Sequence, residues 1–339
     1  MNSNTGKRAT EELLEKLMKN CGLGIINQPV SAVSGGFQHR MYKVTTDCGT
    51  YAVKHLNTEI LNTQKAFDNF AQAEKIETIL EKSGLPIVSS ITIHEKKMQE
   101  VAGNYFYIFH WQEGRITDWD NISEKQCYVA GNMLGRIHAI QPQIVEHQEP
   151  ELSAIDWHGY IQRAVEIKSE IATLLADNES LIMEAEEEIN KARRALPNIQ
   201  CLSDEDMDPK NIMWKNGNPS IIDLECLAYG NPISHAMQLS LQWSGITTCD
   251  INLQHVIAYF KGYLEAYDNG YRAYSDVFGL AYTWVEWLAY NLQRALGIRC
   301  MDEAEKEMGI IEARNTINRI RYIHFMEKDI KDVFDHKLP

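Results

Sequence analysis

The chain has 339 residues, with 33 basic against 47 acidic side chains and a formal charge of −14, and 44% of it is apolar. That length can hold two lobes with full cores, and the composition is that of an ordinary globular protein. The acidic balance, without a dominant basic patch, argues against a general nucleic-acid binder. It suits a cationic ligand drawn to an acidic cleft, although net acidity is common among soluble enzymes of every kind.

Seven cysteines (Cys21, Cys48, Cys127, Cys201, Cys226, Cys249 and Cys300) are scattered and contain no C-x-x-C pair. Neither a disulfide framework nor a zinc site follows from them, and reduced thiols in a cytoplasmic protein are expected. No apolar signal region opens the chain and no apolar run approaches a membrane span. A soluble protein without a membrane partner is expected.

In chain order, Thr10 with Glu11 and Glu12 starts a helix whose stripe is Leu13, Leu14, Leu17 and Met18, with Gly22 as its stop. The pattern then turns to strands over Val30–Val33, Met41–Thr46 and Thr50–Leu56. Ser34, Gly35 and Gly36 fall between the first two, where a glycine pair lets backbone amides approach phosphate oxygens. Taken alone, the pair fits a plain hairpin turn equally well. Lys54 interrupts the apolar strand that follows, and kinases carry their phosphate-pairing lysine on such a strand.

A helix is predicted over Thr63–Lys82, from which Glu74 and Glu77 are candidate partners of Lys54. Gly84-Leu85-Pro86 ends it, and Ile87–His94 reads as a strand. The aromatic strand Asn104–Trp111 runs into Gln112-Glu113-Gly114. In a two-lobed kinase this would be the hinge, with the backbone of His110 to Gln112 meeting adenine. Helices follow over Ser123–Ile140, Trp157–Ala176, Ser180–Leu196, Ser234–Trp243, Asn252–Ala266, Asp276–Leu296 and Glu303–His324. His138 on the first of these reads as a packing histidine.

The most informative stretch is Ser203 to Glu225. Two short apolar strands flank Asn216-Gly217-Asn218-Pro219, a hairpin signal. Asp206 precedes the first strand, Asn211 stands five positions later, and Asp223 ends the second strand. An Asp, an Asn and a second Asp at one end of a hairpin is how phosphoryl-transfer enzymes arrange a base and two metal ligands.

On these residues the chain resembles the aminoglycoside phosphotransferase and choline kinase-like superfamily, from about Pro29 to about Ile323. Asp206, Pro209, Asn211 and Ile221-Ile222-Asp223 match its core pattern, and Leu134-Gly135-Arg136-Ile137-His138 is similar to a helix end of its larger lobe. The resemblance implies an α+β, protein-kinase-like fold. Residues 1–110 would be a nucleotide-binding lobe with a small antiparallel sheet and one key helix. Residues 111–339 would be a helical lobe with the catalytic loop, metal site and substrate pocket.

The resemblance further implies Asp206 as catalytic base, Asn211 and Asp223 as Mg2+ ligands, and Lys54 as the ATP (or GTP) lysine. Its helix partner would be Glu74, placed by its distance from Leu85-Pro86. Nucleotide contacts would come from Ser34, Gly35, Gly36, His110 and Gln112.

One departure is that Asp204 and Glu205 replace the family's usual histidine and glycine, crowding carboxylates at Asp204, Glu205, Asp206 and Asp208. Like charges so close raise some pKa values. The expected activity is transfer of the γ-phosphate to a hydroxyl of a cationic, aminoglycoside-like small molecule. The alternatives are a metabolic kinase for choline, a sugar or an amino-alcohol, and a nucleotide-binding pseudokinase. The short Ala228–Ser234 connection leaves little room for a protein-kinase activation segment.

Overall fold

The computed structural model describes residues 3–33, 39–58, 61, 63–140, 149–300 and 302–339. The leading helix α1 (Ser3–Asn20) ends where Gly22 takes a left-handed φ of 67°. Strands β1 (Ser31–Val33), β2 (Arg40–Thr45) and β3 (Thr50–His55) form an antiparallel meander. Helix α2 (Gln64–Lys82) follows, its first turn capped by the Thr63 hydroxyl, which accepts from Ala66 N. Strands β4 (Gln99–Val101) and β5 (Asn104–His110) complete a five-stranded sheet of order β1-β2-β3-β5-β4.

Strand alternation decides what each face carries. Val53, Phe106 and Ile108 pack with Leu14, Leu17 and Met18 of α1 in one apolar cluster. Tyr107 joins Leu56, Leu61 and Phe70 of α2 in another. Lys54 pairs with Tyr107 across the β3–β5 ladder, so the lysine stands on the α2 face. The stretch Ile87–His94 is not a strand. Val88 N bonds Ile221 O and Ile91 N bonds Ile108 O, so its backbone is divided between two partners and makes only isolated bridges.

After β6 (Arg115–Ile116) the chain becomes helical with α3 (Glu124–His138), opened by a Ser123–Gln126 capping box. The segment expected as one helix from Trp157 is two, α4 (Trp157–Glu166) and α5 (Ala172–Asp177), separated where Lys168 adopts φ 54°. Next come α6 (Glu179–Ala195) and the fully buried strand β7 (Cys201–Asp204). The hairpin of β8 (Ile212–Lys215) and β9 (Asn218–Ile221) turns on Asn216 and Gly217, both at positive φ, as Asn-Gly turns require. The remaining helices are α7 (Pro232–Trp243), α8 (Leu253–Ala266), α9 (Trp284–Ala295) and α10 (Glu303–His336). The helix expected from Asp276 is 3₁₀ over Tyr274–Thr283 before α9 begins.

By packing, Met1–Ile116 with Asn211–Ala228 form one compact unit, and Thr117–Lys210 with Tyr229–Pro339 form the other. The hairpin joins the first unit because β8 pairs with β6 and Ile221 N bonds Pro86 O. In the second unit α3 and α8 approach at glycines. A Cβ on Gly131 would lie 2.0 Å from Tyr259 O, and one on Gly262 would lie 2.0 Å from Tyr128 O. Trp243, Tyr259, Phe260, Tyr263 and Tyr274 are among its largest fully buried side chains. Among the described residues no helix is long and apolar enough to cross a membrane.

Candidate active site

In the first unit, Lys54 is buried and its Nζ lies 2.7 Å from Asp223 Oδ1 and 2.6 Å from Glu225 Oε1. Burial alone would push the ammonium down; the two carboxylates outweigh it and hold its pKa above that of a free lysine. Two residues far apart in sequence meet because β3 brings Lys54 to the α2 face while β9 ends at Ile221 and delivers Asp223. Asp223 adopts φ 62° and ψ 62°, a left-handed conformation that a short polar side chain tolerates. A 3₁₀ turn, Leu224–Cys226, then brings Glu225 to the same lysine.

Glu225 has a second partner, His39, whose Nε2 lies 3.2 Å from Glu225 Oε2. The Nδ1 of His39 accepts from Asn57 N at 3.0 Å, which leaves Nε2 as the nitrogen that donates to Glu225. Burial would raise the Glu225 carboxyl, but the His39 hydrogen bond and the Lys54 charge bring it below the usual range.

The expected Lys54–Glu74 pair is not formed. Glu74 Oε1 accepts instead from Tyr107 OH at 2.9 Å and Met98 N at 3.1 Å. Tyr107 is the cross-strand neighbour of Lys54, and its hydroxyl takes the carboxylate before the lysine can reach it. Burial and then the Glu74 charge raise the Tyr107 phenol. Glu77 is committed elsewhere, to Ser90 N at 2.6 Å and Lys97 Nζ at 2.9 Å. Lys54, Glu74, Glu77, Tyr107, Asp223 and Glu225 nevertheless line one cavity of this unit.

The hairpin register sets Asn211 opposite Ile222, the residue before Asp223. Ile212 pairs with Ile221, and Asn211 O accepts from Ile222 N at 2.9 Å. Magnesium is held by one or two carboxylates with other oxygen donors, substrate phosphates and water. An amide oxygen and a carboxylate at one hairpin end fit that need. Among the described residues no three His, Cys, Asp or Glu side chains converge as a ready-made metal centre. His110 ends β5 opposite Tyr51, and Gln112 follows in exposed extended chain after Trp111 N bonds Thr50 O at 3.0 Å. Ser34, Gly35 and Gly36 lie outside the described residues.

Asp206 belongs to the second unit, in the loop after β7. Its backbone N–H donates to Asp204 Oδ1 at 3.2 Å, and its Oδ1 lies 2.8 Å from Lys210 Nζ. The same ammonium is 2.7 Å from Asp208 Oδ2. Burial lifts Asp208 to about 6, against the pull of Lys210 and with the added push of Asp206. Trp243 Nε1 donates to Met207 O at 2.9 Å, a further anchor of the loop. Glu205 has a side chain 64% exposed, yet the protein around its carboxylate raises its pKa and Asp206, Glu286 and Glu151 add like charge.

Sequence reasoning did not single out Glu225, His39 or Lys210. Glu225 stands two residues after Asp223 and Lys210 four after Asp206, spacings that could have marked them.

A lysine on the third strand beside an aspartate at a hairpin end, on a small antiparallel sheet followed by a mostly helical remainder, defines a phosphotransferase of protein-kinase-like fold. The sequence matches the phosphotransferase enzyme family (APH) over residues 29–276, and the chain belongs to that family. Among solved structures it is similar to spectinomycin phosphotransferase in complex with ADP and spectinomycin. That match has 15% identity, covers 94% of this chain and 98% of that one, and has a TM-score of 0.69. An amicoumacin kinase in complex with AMP-PNP, Ca2+ and its ligand matches at 13% identity, 94% and 96% coverage and TM-score 0.60. Ethanolamine kinase from Plasmodium vivax matches at 16% identity, 85% and 80% coverage and TM-score 0.54. At such identities the likeness shows the fold. No curated protein sequence matches the chain.

Proposed function

We propose that this chain transfers the γ-phosphoryl group of ATP, or GTP, to a hydroxyl of a cationic, aminoglycoside-like small molecule. The observation that carries the reading is the 2.7 Å contact between Lys54 and Asp223 inside the cavity of the first unit. In the proposed reaction Asp206 accepts the proton of the acceptor hydroxyl, whose oxygen attacks the γ-phosphorus while the nucleoside diphosphate leaves. Lys54 pairs the phosphates, and the backbone of His110 to Gln112 meets the base. Asn211 and Asp223 would hold Mg2+, which when bound neutralises charge on the phosphate oxygens. The residues themselves act by position and fixed charge.

The cationic character of the acceptor is supported by the loop around Asp206. Burial and the like charges of Asp206, Glu286 and Glu151 raise the Glu205 carboxyl, a cost of ionisation that a bound cation would relieve. One observation favours a second reading, a nucleotide-binding protein without turnover: Lys210 already holds Asp206 Oδ1 at 2.8 Å. Nucleotide consumption with Mg2+ and a panel of aminoglycosides, choline, amino-alcohols and sugars separates the two. Turnover with one acceptor class, lost by orders of magnitude in Asp206→Asn at little change in nucleotide affinity, is expected. Near-full turnover in Asp206→Asn would overturn the base assignment. Mg-nucleotide binding without turnover on any acceptor would favour the second reading.

A further inference from the structure

The loop bearing Asp206 starts from a buried hydrogen-bonded chain that the proposed chemistry does not use. Ser203, at the end of β7, is 1% exposed, and its Oγ lies between two imidazoles. His138 Nε2 is 2.8 Å away and His235 Nδ1 is 2.6 Å away. His138, fully buried in the last turn of α3, has its Nδ1 2.9 Å from Tyr263 OH on α8. His235, in the first turn of α7, has its Nε2 3.7 Å from Glu205 Oε2. Gly230 closes over the His235 ring: a Cβ there would lie 2.2 Å from its Cε1, so the ring is fixed against the backbone.

Two helices thus reach one serine hydroxyl three residues before Asp206, and a third, α8, holds one of the two imidazoles through Tyr263. Burial holds both imidazoles below their ordinary values, so each ring carries one N–H. A hydroxyl has a single proton to give and two lone pairs to accept with, so at most one ring accepts from Oγ and at least one donates to it. The two rings cannot both present a bare nitrogen to Ser203, so their tautomers are linked through its hydroxyl.

We propose that His235 and His138, joined through Ser203, are positioning residues that set the catalytic loop and aim Asp206. This rests on the reading of Asp206 as the base. Other contacts of the loop, Asp204 to Asp206 N, Trp243 to Met207 O and Lys210 to Asp206 and Asp208, lie beyond Ser203, whereas the imidazoles act where the strand ends. A misplacement of about 1 Å at a catalytic group costs on the order of 100-fold.

The test compares Ser203→Ala, His235→Ala, His235→Asn and His235→Gln. Asparagine offers a polar atom at the place of Nδ1, facing Ser203, whereas glutamine reaches toward Nε2. With Mg-ATP and an acceptor that turns over, or water where basal hydrolysis is measurable, both alanine variants are expected to lose about 10–100-fold in kcat. Nucleotide KM should stay within about twofold, and His235→Asn should return kcat to within about fivefold of wild type while His235→Gln does not. Unchanged kcat in both alanine variants, or equal loss in Asn, Gln and Ala at position 235, overturns the proposal. If the wild type turns over no acceptor, the functional reading fails by itself. Amide hydrogen exchange over residues 203–208 then decides the brace. Acceleration of about tenfold or more in the alanine variants, reversed by His235→Asn, supports it, and unchanged exchange overturns it.

Discussion

Replacing Lys210 with glutamine removes an ammonium that both Asp206 and Asp208 touch in the loop after β7. The Asp206 pair is more than a third exposed on both sides, 37% and 38%, and as a surface ion pair contributes under about 1 kcal/mol. The Asp208 side chain is only 8% exposed, and losing the partner of a buried charge costs about 3–5 kcal/mol. With Lys210 itself half-exposed, about 1–3 kcal/mol at pH 8 is expected. Asp208 titrates at about 6 with Lys210 in place, so without it the value rises further. The loss is therefore expected at pH 8, where Asp208 is ionised beside Lys210, and is small at pH 5, where its carboxyl is largely protonated with or without the lysine. The sign follows from the direction of the shift. A carboxyl whose folded pKa lies above its unfolded value stabilises the fold at low pH, and that contribution is lost as pH rises through the folded pKa. Urea denaturation of wild type and Lys210→Gln at the two pH values measures it. An equal loss at both, or a larger one at pH 5, would refute the ion-pair account.

Other consequences are as specific. Gly131→Ala drives a methyl into the Tyr259 carbonyl at the α3–α8 contact and should cost about 1–3 kcal/mol, seen as a lower Tm; an unchanged Tm would sink this. His235 has its folded pKa lowered to about 4, so below about 6.5 protons favour the unfolded chain and stability falls with pH. His235→Asn should remove about 2 kcal/mol of that acid loss at pH 5, read from the difference between denaturation curves at pH 7 and pH 5. Glu225→Gln should raise nucleotide KM several-fold more than Glu74→Gln, since Lys54 pairs with the former; the reverse order in steady-state kinetics would restore the helix glutamate.

Much of this was legible in the sequence because it is local. The Asn-Gly turn, the Ser123 capping box, the Thr63 cap and the apolar stripes each follow from a few adjacent residues. The two-unit plan also reads from the order of strands and helices. Where the reading departs, a distant partner decided. Ile87–His94 has strand composition, but two separate elements claim its backbone. The hairpin packs with the first unit through Pro86, Val88 and Arg115, none of them near it in sequence. Glu74 stands at the spacing expected for the lysine's partner, yet Tyr107, a residue of β5, captures it. Asp204 and Glu205 stand where the family has a histidine and a glycine, while the imidazoles beside Ser203 come from residues 65 and 32 positions away in sequence.

The exchange of partners at Lys54 has a consequence for the charge of the first unit's cavity. Lys54, Asp223 and Glu225 sum to one negative charge in a largely buried cluster, and Glu74 and Glu77 add to the lining. Lys97 compensates Glu77, whereas Glu74 accepts only neutral donors, Tyr107 OH and Met98 N. The cavity wall is therefore short of positive charge, and two of the three N–H donors of Lys54 are already turned to carboxylates. A polyanion alone would be repelled there. One that arrives with a divalent cation supplies its own counter-charge to Asp223 and frees the lysine for phosphate oxygens. Affinity for nucleotide in this unit should accordingly depend on the divalent ion far more than a cavity lined by arginines would, because among the described lining residues Lys54 is the one cation and already faces two carboxylates.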